Sequence, residues 1–424
     1  MPLFPRSRHQ QGLSYGHLLC AAAGFGLLMY MSMSGVTYRI QPASLPAGRN
    51  VLLPGSIGAT HRAAVDRGAQ ATDLGGSVPS DRGAGLGETD ARVGKGGDPL
   101  REKAIRARAK AAILGAFVAD AASMGLHWIY DTDTIRSLLR RNDRIGKPEF
   151  FEPPSCPFYH YESGRLSPYG DEALPVLESM AEQGRLDPQH LLQRLYDSFK
   201  TYRSNGGRLN RASIDMMRNV EAGKAFPAAG ANNNEAHATV KVPIVVGRYA
   251  GLAEMKDRML DAVRTHQNNE DAETAGLAAA LLLERVVLGD SLAAALTWAS
   301  GSAAFPAAAR PWLSKALQSR FEDSVAAVES FGQTCHLPDS FESTMFIANH
   351  SQNYAQAVRD NIMAGGDCCG RSHLLAALFA AQGGLESIPK DWKDKTTMYN
   401  DLEPLVDDLL ERRSDHPSVK TAQT

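Results

Sequence analysis

Between residues 100 and 415 apolar positions recur at three- and four-residue intervals, and few stretches alternate strictly between apolar and polar. That period predicts helices and no substantial sheet. The clearest runs are REKAIRARAKAAILGAFVADAASMGLHW, EALPVLESMAEQG, PQHLLQRLYDSFKTYRSNGG, ASIDMMRNVEAG, KVPIVVGRYAG, MKDRMLDAVRTH, EDAETAGLAAALLLERVVLG, SLAAALTWASG, PWLSKALQSRF, SHLLAALFAAQGG and DLEPLVDDLLERR. Many stop at glycine, which takes the left-handed cap conformation at little cost. No fixed internal period recurs, so one compact all-α multi-helix domain over 100–415 is expected, with a short tail at 416–424.

The N-terminal pattern is different. Leu18 to Val36 carries no charge, with Arg6 and Arg8 before it and Arg39 after it. Its length suits either a signal anchor or a cleaved targeting leader, so segment 1–38 is read as a membrane-directing element and the product as not simply cytosolic. A buried or incidental apolar segment is the third alternative. Residues 39–99 are rich in Gly, Ala, Arg, Ser and Asp without periodic apolar positions, which predicts a disordered linker. The GAGLG within it has no strand before it and no helix close behind, so it is not a nucleotide-binding fingerprint. Passage through a membrane would make Asn349-His350-Ser351 a glycosylation triplet.

Composition narrows the partners. The chain has 424 residues, 43% hydrophobic and 22% charged, enough apolar material for a large core. Lys and Arg number 45 against 47 Asp and Glu, a formal net charge of -2. No basic field exists to hold a phosphate backbone, which excludes nucleic acid as an expected partner. The five cysteines, Cys20, Cys156, Cys335, Cys368 and Cys369, form neither an evenly spaced disulfide framework nor paired C-x-x-C motifs.

Candidate chemistry sits at helix starts. Asp171 and Glu172 follow Pro168 and Gly170, and Asp367 follows Gly365 and Gly366. Each acid can be an N-cap that meets the positive end of the helix dipole. Glycine before an acid also lets backbone or ligand approach closely, so convergence of the two helices on one cleft is the functional alternative. AAGANNNEAHATVKVP places Asn232 to Asn234, Glu235 and His237 ahead of an expected Pro-started helix. RTHQNNEDAETAG places His266, Asn268, Asn269, Glu270 and Asp271 at another helix start. Capping explains the Asn and Asp residues; each histidine is open between an ordinary hydrogen-bonded role and a ligand.

In order, AAILGAFVADAASMGLHWIYD, YGDEA, NNNEAHATVKVP, THQNNEDAETAGLAAAL and AGGDCCGRS resemble the motifs of the ADP-ribosylglycohydrolase family, in particular its jellyfish J-type crystallin branch. The resemblance covers about Ala104 to Arg412. It implies an all-α hydrolase fold in which two magnesium ions hold the ribose of an ADP-ribosyl group while water attacks the anomeric carbon. Carried over, Asp171 and Asp367 match metal-binding acids, while Gly170, Glu172, Cys369 and Gly370 depart from the family's Asp, Thr, Asp and Thr. His127 lies where a glutamate is common. By that resemblance Asp171, Glu172 and Asp367 would bind or polarise water, and His127 or His266 would carry a proton. Asn233, Asn234, Gly365, Gly366 and Cys369 fall at substrate-contacting places.

Magnesium demands hard oxygen ligands, and a thiol in place of a carboxylate leaves the set incomplete. Three readings of the adjacent cysteines stand: buried small hydrophobes, a thiolate activated by the helix N-terminus, and a soft-metal site. The expected function is hydrolysis of an N- or O-glycosidic bond to ribose in a small-molecule or protein-linked substrate. The alternative is a non-catalytic, crystallin-like binding or structural protein that retains the fold.

Overall fold

The computed structural model describes residues 98–415, so the readings of segments 1–38 and 416–424, and of nearly all of 39–99, lie outside the described residues. Within them sixteen α-helices follow one another, and the only β pairing is two isolated bridges, Ala231 with Gln267 and Glu235 with His336. The domain is all-α.

Its centre is the helix Pro99–Ser123, started by Asp98, whose side chain accepts from the Leu100 amide at 2.9 Å. From Ala111 onward every residue of this helix is buried. Alanines and Gly115 keep its surface shallow, so the second core helix, Cys368–Gly383, lies directly along it. A Cβ on Gly115 would come within 2.6 Å of Ala380 Cβ, so the helices could not approach this closely with any larger residue there. Pro99–Leu126 is long and apolar enough to cross a membrane, but 94% of its apolar window is buried inside the domain. Packing accounts for that hydrophobicity.

Two helices begin earlier than their apolar runs suggest. The run KVPIVVGRYAG belongs to a helix that starts at His237, not at Pro243, because residues 237 to 241 are already buried and packing outweighs the proline's missing donor. The run SHLLAALFAAQGG starts at Cys368, which puts both cysteines inside the first turn. Five helices, Thr132–Arg141, Ser324–Phe331, Asp339–His350, Tyr354–Met363 and Lys390–Lys395, were not announced by the strongest apolar runs.

Candidate functional site

Gly365 and Gly366 form the turn ahead of Asp367, with φ of 71° and 61°. Both values favour glycine, and contact reinforces the demand: a Cβ on Gly365 would lie 2.8 Å from the Ile129 carbonyl oxygen, and one on Gly366 would overlap the Gln333 carbonyl. The Gly366 amide donates to the Ile129 carbonyl at 2.8 Å, the Trp128 amide to the Gly366 carbonyl at 2.9 Å, and the Asp367 amide to the Gln333 carbonyl at 2.8 Å. The glycines therefore clamp the loop after the first helix onto the start of the second. Beneath the turn, Arg371 is buried, with Nε donating to Asn361 Oδ1 at 2.7 Å and Nη2 to the Gly365 carbonyl at 2.5 Å.

Asp367 precedes its helix without capping it. Its carboxylate instead accepts from Trp128 Nε1 at 2.8 Å and from the Tyr169 hydroxyl at 2.9 and 3.0 Å. It is fully buried, and burial raises its pKa against the pull of Arg371. His127 Nδ1 accepts from the Cys369 amide at 3.2 Å, which places the ring proton on Nε2, 3.6 Å from Asp367 Oδ1. Burial, with the Arg371 charge, holds the His127 pKa well below its usual value, so the ring is neutral.

Glu172 anchors a second buried cluster. Lys241 Nζ donates to Oε1 at 2.9 Å and Asn210 Nδ2 to Oε2 at 3.0 Å, while His237 Nδ1 and His266 Nδ1 lie 2.9 and 3.2 Å from its oxygens. Burial alone would raise the Glu172 pKa; the His237 and Lys241 charges outweigh it and hold the group well below the usual carboxylate range. Burial likewise pushes His237 down, but Glu172 and Glu235 carry it up to about 9. His266 is lowered to about 4 by burial, with Lys241 adding to the effect. Lys241 donates to His266 Nδ1 at 3.1 Å, which leaves its Nε2 proton for Ser213 Oγ at 3.0 Å. Tyr169 joins the two clusters, with its hydroxyl on Asp367 and its ring stacked on His237 at 5.0 Å.

Asp171 faces another way. It borders a groove of about 560 Å³ beside Tyr161, Arg165 and Tyr202, with Arg165 Nη2 at 3.4 Å. Burial and the Asp120 charge raise its pKa to about 7 despite Arg165. On the same turn a Cβ on Gly170 would overlap Asp120 Oδ2 and stand 3.0 Å from Asp120 Cγ. Asp120, from the first helix, accepts from the Ser167 amide at 2.8 Å and hydroxyl at 2.5 Å. It fills the space a side chain at 170 would need. Gly370 is similar: its Cβ would overlap Asp367 Oδ2 and lie 3.1 Å from Tyr169 Cζ.

Cys368 and Cys369 are fully buried, and their thiols turn to the Ser123 and Asp120 carbonyls at 3.7 Å. Burial and its neighbour Cys368 push Cys369 well above the usual thiol range, the opposite of an activated nucleophile. His127, Cys368 and Cys369 bring ligand atoms within 4.8 Å of one another, but inside a closed core. Alkylation of the native chain, followed by peptide mapping, is therefore expected to leave Cys368 and Cys369 unmodified and to label both in urea. Native labelling of Cys369 would show an open site.

Asn233 and Asn234 make loop contacts. Asn233 Oδ1 accepts from the Glu235 amide at 2.9 Å, and Asn234 Oδ1 lies 3.1 Å from His336 Nδ1. The structure thus joins Asp367, His127, Gly365 and Gly366 in one constellation and Glu172 and His266 in an adjoining one, with Asp171 on the groove side. The apolar and motif patterns did not single out Asp120, Trp128, Tyr169, Lys241 or Arg371. Lys241 and Asp120 left a trace, each a charge inside an otherwise apolar helical run.

Two buried acids near helix starts, Asp367 held by Trp128 and Tyr169 and Glu172 by Lys241, define the class: an all-α domain built around buried helix-terminal carboxylates. The sequence profile described as ADP-ribosylglycohydrolase matches residues 101–418, and the chain belongs to that family. It is similar to crystallin J1A of Tripedalia cystophora, 27% identical over 312 residues that cover 71% of this chain and 96% of that protein. Crystallin J1B of the same organism is 25% identical over 307 residues, covering 70% and 94%. In fold it matches a solved structure described as an ADP-ribosylglycohydrolase-related protein complex, with TM-score 0.57, 19% identity, and coverage of 73% of this chain and 99% of that one.

The residues present do not suit two magnesium ions. Position 170 has no room for a ligand, Glu172 is taken by Lys241, and Asp367 by Trp128 and Tyr169. A magnesium-binding pair of Asp171 and Asp367 would have to be assembled from carboxylates already committed to different partners.

Proposed function

We propose that this domain hydrolyses an N- or O-glycosidic bond to ribose in a small-molecule or protein-linked ADP-ribosyl substrate, without the family's two-magnesium set. The observation that carries this reading is Asp367, a carboxylate at a helix start that leaves the helix uncapped and is held by two aromatic donors, Trp128 and Tyr169. In this reading substrate reaches Asp367 past the half-buried Trp128 indole, which has Arg208 above its ring at 5.2 Å. Asp367 then polarises water and takes its proton as the oxygen bonds to the anomeric carbon and the glycosidic bond breaks. Asp171, raised to about 7 on its separate groove, is given no step at that bond, and the leaving atom takes its proton from solvent. His127 Nε2 stands 3.6 Å from Asp367, while Glu172 and His266 hold the scaffold, their polar atoms already occupied.

Asp367→Asn keeps the shape and most hydrogen bonds but removes the base. It is expected to lower release of ADP-ribose from an ADP-ribosylated protein by about a hundredfold or more, measured by mass spectrometry. Equal release by parent and variant would remove Asp367 from the reaction. The second reading, a crystallin-like structural protein, is favoured by the closure of the site, since Glu172 and Asp367 are 1% and 0% exposed. It predicts no release from either chain. We also infer delivery to or through a membrane, on the strength of the uncharged Leu18–Val36 segment and its flanking arginines.

A further inference from the structure

At the edge of this core two loop segments, 233–236 and 334–337, run against each other. The Ala236 amide donates to the Cys335 carbonyl at 2.7 Å, the Leu337 amide to the Asn234 carbonyl at 2.9 Å, and Glu235 pairs with His336 in an isolated antiparallel bridge. The pairing gathers three different metal-ligating groups. A Glu235 carboxylate oxygen, Cys335 Sγ and a His336 ring nitrogen all lie within 4.8 Å of one another.

We propose that Glu235, Cys335 and His336 form a binding site for a zinc-class divalent cation. Carboxylate, thiolate and imidazole are the donor mixture that borderline-soft zinc accepts and magnesium does not. Three protein ligands with an exposed His336 leave the fourth tetrahedral position to solvent. The donors are also oriented from behind. His336 Nδ1 lies 3.1 Å from Asn234 Oδ1, a contact that fixes the orientation of the ring. On the other side, His237 Nε2 stands 3.2 Å from Glu235 Oε2, and Asn233 Oδ1 holds the Glu235 amide.

The trio of His127, Cys368 and Cys369 is the poorer candidate, because all three are fully buried and none meets solvent. Binding at Cys335 exchanges a proton for the metal: the S–H bond breaks, the sulfur–metal bond forms, and the proton leaves to solvent. None of its ligands is assigned a step in the reaction, and Cys335 lies beside Tyr169 and Asp367.

Titration of the reduced full-length chain with Co(II), the spectroscopic stand-in for zinc, tests the site. The expected result is one equivalent of tight binding with a thiolate-to-cobalt charge-transfer band, displaced by zinc and unaffected by excess magnesium. Cys335→Ser is expected to abolish the band, and His336→Gln to weaken binding by about tenfold or more. Cys368→Ala should retain the band. His336 is exposed, so His336→Gln tests the site even if Cys335→Ser fails to fold. No charge-transfer band in the parent, a band that survives in Cys335→Ser, or unchanged affinity in His336→Gln would each overturn the proposal.

Discussion

Glu172→Ala is expected to cost about 3–5 kcal/mol in urea unfolding, the range for removing one partner of a buried ion pair. Lys241 is 0% exposed, and its ammonium has Glu172 as its carboxylate partner at 2.9 Å. With the acid gone, that charge keeps only the His237 carbonyl at 3.0 Å and the neutral His266 ring. Changing both partners should be milder. Glu172→Leu combined with Lys241→Met leaves neither charge stranded, and His237 can shed its proton once its main counter-charge is absent. The double variant is expected to be more stable than Glu172→Ala alone, a coupling that a double-mutant cycle reads directly. If Glu172→Ala unfolds within about 1 kcal/mol of the parent, the cluster is not the paired core described here.

Restoring the family's aspartate at position 170 is expected to damage the fold. The new Cβ would overlap Asp120 Oδ2 and approach Leu166 Cβ at 2.9 Å, and the new carboxylate would face that of Asp120. Overpacking alone costs about 1–3 kcal/mol, and like-charge repulsion adds to it. Asp120→Ala removes the obstruction but orphans the buried Ser167 amide and hydroxyl, a loss of about 1–3 kcal/mol by itself. Placing both changes in one chain lets the carboxylate at 170 occupy the vacated space. The combined loss should therefore fall short of the sum of the two, by about 1 kcal/mol or more. Strict additivity would mean that Asp120 does not compete for that position.

Much of the scaffold was readable from apolar spacing and glycine stops. The run EDAETAGLAAALLLERVVLG is the helix Glu270–Leu288, capped by Asn269 at one end and by Gly289, with φ 118°, at the other. The glycine pair before Asp367 also signalled a close backbone approach, and Gly365 and Gly366 make one. Orientation was not readable. Asp171 and Glu172 are consecutive, yet about 100° of helical rotation separates them and sends one to the groove and the other to the core. Nor could spacing reveal partners: Asp367 meets Trp128 and Tyr169 across 239 and 198 residues of chain. Those contacts exist only after the helices pack. The same holds for the cysteines, since local sequence placed them at a helix start but not behind the first helix, where burial makes them inert.

Lys241 gives the charge balance around Glu172 a property that no dissolved ion could. An ion held by mass action is lost as its free concentration falls, and its contribution to stability declines with it. An ammonium on a stem rooted in the helix His237–Tyr249 has an effective concentration set by its tether alone. Dialysis, a chelator or a compartment poor in divalent cations leaves it in place. The ammonium at Glu172 is synthesised with the polypeptide.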